Sequence, residues 1–166
     1  MARLVAIALL AYCCLQSGFA RADDTAKQLV GSWKLNSWVI QIIGGELTEP
    51  FGANPKGRAV FTPDGYVVFV VVAANRKPAA NDEELEENKA VLRGIIAYIG
   101  TWSVDEASKT LVTNIEASTF PNLNGKAQKR IIISLTADGL KYNNPATSTG
   151  MTTEAVWKRA SAAATN

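Results

Sequence analysis

The sequence has no histidine, and its two cysteines, Cys13 and Cys14, stand close together near the amino terminus. The missing histidine excludes a Ser-His-Asp or Cys-His catalytic site, a His-ligated zinc and the usual acid/base residue of neutral pH. Charge of one sign is also missing. The chain has 17 Lys+Arg against 15 Asp+Glu, with no clustered basic face of the kind that marks a nucleic-acid partner. Long hydrophobic runs are absent too. The longest, "LVAIALLAYCCL", falls short of the about 20 residues that a membrane-spanning helix needs. It follows Arg3 and precedes "ARA" at 20–22, an Ala-x-Ala cleavage signal, so residues 1–22 read as a secretory signal peptide. The competing reading is a lipoprotein anchored through Cys13 or Cys14, although Tyr12 fits poorly the small residue such a site wants.

Removal of residues 1–22 takes both cysteines and two of the cations, Arg3 and Arg21, leaving 15 charges of each sign. The mature chain, 23–160 with a flexible tail at 161–166, is then expected to be one domain without disulfide, thiol nucleophile or thiolate metal site. Its expected location is secreted or periplasmic. No cofactor or metal site is indicated, no integral membrane segment remains, and no feature sets an oligomeric state.

What is present is mostly strand. "LVGSWKLNSWVIQII" (29–43) is rich in Trp, Val and Ile, with Trp33, Leu35 and Ser37 on one face and a kink near Asn36. A Gly- and Pro-rich loop follows. "RAVFT", the turn "PDG" and "YVVFVVVAA" form a hairpin in which Asp64 is turn chemistry. "NDEELEENKAVLRG" is the one helical pattern. Asn81 can cap it, Glu84 can close a capping box, and Gly94 marks its end. Strands then resume at "AYIGTWSVD", "TLVTNIEAS", "KAQKRIIISLT", "LKYNN" and "MTTEAVWKRA", mostly joined by short turns. About eight strands in sequential order with one inserted helix describe an all-β, up-and-down antiparallel barrel.

"LVGSWKLNSW", "PFGANPKGRAVFTPDGY", "IAYIGTWSVD", "FPN" and "VWKR" occur in this order between Leu29 and Arg159. With them the chain resembles the bacterial and fungal lipocalin-like domain family, of the calycin type. The resemblance implies a barrel closed at one end and open at the other. It also implies that Gly31 and Trp33 mark the closed end and that Arg159 of the last strand packs across the Trp33 ring. The missing disulfide and the inserted helix depart from typical secreted lipocalins, and the family resemblance carries no common activity.

The candidate cavity wall is Trp38, Phe61, Phe69, Tyr98 and Trp102, with Glu116 and Arg130 as a polar pair inside otherwise apolar strands. Either of that pair could instead stand on a solvated outer face, since buried charges must be paired. Ile131, Ile133 and Leu135 are expected to fill the interior. The leading functional reading is an exported protein that binds a small hydrophobic or amphipathic molecule in the barrel. One alternative is an isomerase- or cyclase-type enzyme with Glu116, Tyr98 and Arg130 as acid/base groups, which the lack of His and of mature Cys argues against. The other is a ligand-free structural barrel with a filled core.

Overall fold

The computed structural model describes residues 24–41, 45–76, 94–144 and 151–161. The expected signal peptide, the expected helix over 81–94 except Gly94, the 145–150 loop and the tail from 162 lie outside the described residues.

Among the described residues nine strands form one antiparallel sheet. They are β1 (Gly31–Gln41), β2 (Leu47–Thr48), β3 (Lys56–Phe61), β4 (Tyr66–Val72) and β5 (Ile95–Asp105). β6 (Thr110–Ser118), β7 (Ala127–Leu135), β8 (Gly139–Asn144) and β9 (Thr152–Arg159) complete it. β2 is a two-residue strand at the far end of β1. The other eight pair in sequence order, and β1 pairs with β9 from Trp33↔Arg159 to Gln41↔Thr152. That pairing closes the barrel and removes the edges that an open meander would expose.

Closure depends on irregularities at identifiable places. In β1 the register shifts between Leu35 and Ser37, at the expected kink. The extra residue changes which side chains point inward: Trp33 and Leu35 before it, and Trp38 rather than Ser37 after it. β5 shifts between Ile99 and Gly100, and a Cβ at Gly100 would stand 2.0 Å from the Asn114 carbonyl oxygen. Only glycine allows β5 and β6 to approach this closely.

β7 corrects the sequence reading. Ile131 and Ile133 are 41% and 52% exposed, whereas Arg130 is only 5% exposed and Ile132 packs against the core. Three consecutive isoleucines contain no alternation, so the sequence could not set the phase. Pairing sets it: Arg130 lies opposite the buried Leu111 and Ile132 opposite the buried Tyr142. Leu135, after a register shift between Ile132 and Ser134, faces the core as expected.

One end is plugged. The short helix α1 (Asp24–Leu29), which the sequence reading did not anticipate, runs directly into β1. Trp33 is fully buried and donates its indole N–H to the Leu29 carbonyl at 2.8 Å. The Arg159 guanidinium lies 4.1 Å from the Trp33 ring centroid. It donates to the carbonyls of Val30 at 3.0 Å, Gln28 at 2.6 Å and Ala137. The bonds to Gln28 and Val30 satisfy carbonyls at and just past the C-terminal end of α1, and the bond to Ala137 ties in the β7–β8 turn. Gly31 has φ +127°, which favours glycine, and a Cβ there would come within 2.9 Å of Arg159 Nη1 and push the guanidinium from its seat.

The start of α1 is held by the turn after β5. The Ala26 N–H donates to Glu106 Oε1 at 3.1 Å, while Lys109 donates to both Thr25 and Glu106. Asp105 accepts from the N–H groups of Ala107 and Ser108, so this acid does turn chemistry. Burial acts to raise the Glu106 pKa, but donors from Thr25, Lys109 and Ala26 outweigh it and hold the carboxyl below its ordinary value. A carboxylate depressed in the fold stabilises above its unfolded pKa, and that stabilisation is lost as pH falls through the folded value. The amide protection factor of Ala26 is therefore expected to fall in the acid range, before the β-sheet amides respond. Hydrogen exchange followed by NMR checks this, and equal protection at Ala26 across that range would contradict the pin.

Candidate functional site

The interior above the plug is lined with rings around one cation. Arg130 is fourth in β7 and Tyr98 fourth in β5, both counted from the end away from Trp33. Arg130 Nη1 donates to Thr113 Oγ1 at 2.8 Å, and Nη2 donates to the Tyr98 hydroxyl at 2.9 Å. Its guanidinium carbon lies 5.8 Å from the Phe69 ring centroid, 5.7 Å from Tyr98 and 5.6 Å from Tyr142. Phe69 stacks on Tyr98 at 4.6 Å and meets Trp157 edge-on at 5.4 Å. Trp38 covers this group, 6.0 Å from Phe69 and 5.6 Å from Phe51.

Electrostatically the cluster is unbalanced. Among the described residues no carboxylate pairs with Arg130; the ion pairs there are Lys109–Glu106 and Lys141–Glu154. Burial opposes the charge, yet the Tyr98 and Tyr142 oxygens favour it more strongly, so Arg130 titrates above its ordinary value. Burial also pushes both phenols up, with Arg130 offsetting part of the effect. The site at neutral pH is thus a guanidinium cation beside neutral phenols. Burying a lone charge costs several kcal/mol even after relaxation. Ring faces return on the order of 0.5–2 kcal/mol each, and neutral hydroxyls less than a counter-ion would. Trp157 Nε1 is a buried donor that reaches no acceptor in full hydrogen-bond geometry and is directed at the Tyr142 oxygen. Two buried acceptors, Asn143 Oδ1 and Asn144 Oδ1, also lack a partner, so the imbalance is one of charge: among the described residues Arg130 is a buried positive charge without a negative one.

The structure brings together only part of the sequence-derived set. Trp38, Phe69, Tyr98 and Arg130 share the cluster. Phe61 and Trp102 are neighbours at 5.4 Å, but they belong to the plugged end, where Phe61 pairs with Gly31 and Trp102 donates to the Thr62 carbonyl at 3.1 Å. Glu116 is exposed on the outer face of β6, between the inward Ile115 and the exposed Ala117. It is not a wall residue, and its place removes the acid/base arrangement that required it near Tyr98 or Arg130. The physical reason is strand parity: Leu111, Thr113 and Ile115 take the inner face, so Glu116 must take the outer one.

Sequence reasoning missed Thr113, Tyr142, Trp157 and Phe51 as members of the cluster. Tyr142 could have been found by alternation with the inward Leu140, and Trp157 from the face it shares with Arg159. Among the described residues, no group of three or more His, Cys, Asp or Glu could hold a metal ion. No described helix is long and apolar enough to cross a membrane.

The profile of the lipocalin-like domain family matches residues 30–162. A lipocalin-like protein from Bacteroides uniformis ATCC 8492 aligns at TM-score 0.46 and 11% identity, covering 80% of this chain and 99% of that one. A redesigned beta barrel aligns at TM-score 0.44 and 16% identity, covering 87% and 100%. No curated protein matches the chain in sequence.

Proposed function

The chain belongs to the lipocalin-like domain family, whose barrel is in general a ligand-binding architecture, and from that premise we propose that it holds a small amphipathic molecule with an acidic head group. The single observation that supports this is the buried Arg130, which has no counter-ion among the described residues. A carboxylate seated against it would take charge-assisted bonds from Arg130 and a hydroxyl hydrogen bond from Tyr98. The apolar remainder would contact the rings of Trp38 and Phe69 and leave toward the end opposite Trp33. Export belongs to the same proposal: residues 1–22 act as a signal peptide, and the barrel works in a secreted or periplasmic setting, where it carries its ligand.

Titration of the purified protein with a straight-chain monocarboxylate and with its methyl ester tests the reading. The carboxylate is expected to bind about tenfold more tightly or better, since the ester loses the charge that Arg130 lacks a partner for. Native mass spectrometry would show whether an acid of this class co-purifies. The close contacts of Phe69 with Tyr98 and Trp157 favour a second reading, a filled barrel with no ligand. Absence of a co-purified molecule, together with no binding of acid or ester, selects that one.

A further inference from the structure

A second feature lies outside the barrel and does not depend on what the interior holds. β1 pairs with β3 only from Gly31 to Lys34 and then continues along β9 and β2. Where the strands part, a cleft of about 710 Å³ opens on the side of the barrel. Lys34, Lys56 and Arg58 stand around it, and Leu35, Val70 and Val72 line it with apolar surface.

The register makes the charges notable. Lys34 lies opposite Arg58 on one neighbouring strand and opposite Lys158 on the other. Like charges in directly opposed positions destabilise a sheet. β1, β3 and β4 contain Lys34, Lys56 and Arg58 and no acid. The ion pairs among the described residues involve none of these cations, nor Lys158. A row of this kind is relieved by an external anion.

Beside the row runs an uncharged strip. Tyr66, Val68, Val70 and Val72 form the outer face of β4, and Val68 pairs with Val60 on one side and Ile99 on the other. Tyr66 is 54% exposed, Val68 45% and Ile99 48%. Adjacent exposed apolar residues on a sheet face are unusual unless something covers them.

We propose that this side of the barrel docks on an anionic lipid surface. The Tyr66–Val68–Ile99 strip enters the headgroup region, the cations meet lipid phosphates, and the cleft receives one headgroup. Charge complementarity selects this occupant. A second copy in a two-fold contact would present the same cations to the same face, whereas an anionic bilayer offers a continuous negative surface that attracts juxtaposed Lys and Arg.

Vesicle flotation with the full chain tests the proposal, using phosphatidylcholine alone and phosphatidylcholine with about one third phosphatidylglycerol, a composition that sets a negative surface potential. Binding is expected on the anionic vesicles, weakened by salt. Each neutralised cation should weaken it about fivefold, so the K34Q/R58Q double variant should lose about twenty-five-fold. Val68→Asn should also weaken binding, and circular dichroism would confirm that each variant keeps the wild-type fold. Equal binding to both vesicle types, or no change in K34Q/R58Q, overturns the proposal. Self-association abolished by Val68→Asn, with no vesicle binding, assigns the face to a second copy and overturns it as well.

Discussion

Arg130→Met is expected to leave the ligand-free barrel at least as stable as the wild type while weakening carboxylate binding about a hundredfold or more. The two halves of this expectation have different physical origins. Met fills much of the arginine stem's volume and adapts to an irregular interior. It removes a cation that is 5% exposed and has no described counter-ion. Replacing buried charge by apolar volume is commonly neutral or stabilising by about 1–4 kcal/mol. Against that gain stand the bonds to Thr113 and Tyr98, whose oxygens lose a donor at about 1 kcal/mol each. The terms nearly offset in the empty protein. With an acid bound they do not, because the variant then buries an anion without its cation. Urea unfolding of both forms, with and without the monocarboxylate, separates the halves. If Arg130→Met unfolds far more readily and acid binding is unaffected, the arginine is a structural element and the filled-barrel reading takes over. Arg130→Lys is a useful companion: it keeps the charge but lacks the planar fork that reaches Thr113 and Tyr98 together.

The same arginine shows where the sequence was informative and where it was not. Barrel topology was legible because strands close in sequence are joined by turns with recognisable chemistry, such as Pro63-Asp64-Gly65. The facing of each strand was legible only where polar and apolar residues alternate. In β6 the outward Asn114 and Glu116 separate the inward Thr113 and Ile115, which fixes the phase. In β4, "YVVFVVV" is apolar on both faces, and in β7 "RIIIS" inverts the usual cue by placing its charge inside and two of its isoleucines outside. A rule that sends charge to the surface fails where the fold holds a charge on purpose or at a cost, and those positions are the candidates for function. α1 escaped notice for a different reason. Its sequence, "DTAKQL", is too short to show a helical period, and it is held by Glu106, Lys109 and Arg159 from distant parts of the chain.

Trp33→Ala is expected to lower stability by about 3–5 kcal/mol, the cost of emptying a fully buried aromatic site. That is a large share of the about 5–15 kcal/mol typical of a domain. Lost volume is only one part of the effect. The Leu29 carbonyl loses the indole N–H that reaches it at 2.8 Å, and Arg159 loses the ring face 4.1 Å from its guanidinium. Trp33→Phe separates these contributions, since it keeps a ring face for Arg159 but no N–H for Leu29; a loss of about 1–2 kcal/mol is expected. A double-mutant cycle of Trp33→Ala with Arg159→Met should show coupling of about 0.5–2 kcal/mol, read from urea unfolding. Additive losses would mean that the guanidinium serves only the Gln28, Val30 and Ala137 carbonyls. In either case the plug lies at the opposite end from the expected ligand path. Trp33→Phe should therefore change the midpoint of unfolding without changing the preference for acid over ester, whereas Arg130→Met should change the preference and spare the midpoint. Because the two substitutions act on different observables, a loss of binding at Arg130 can be told apart from a general weakening of the barrel.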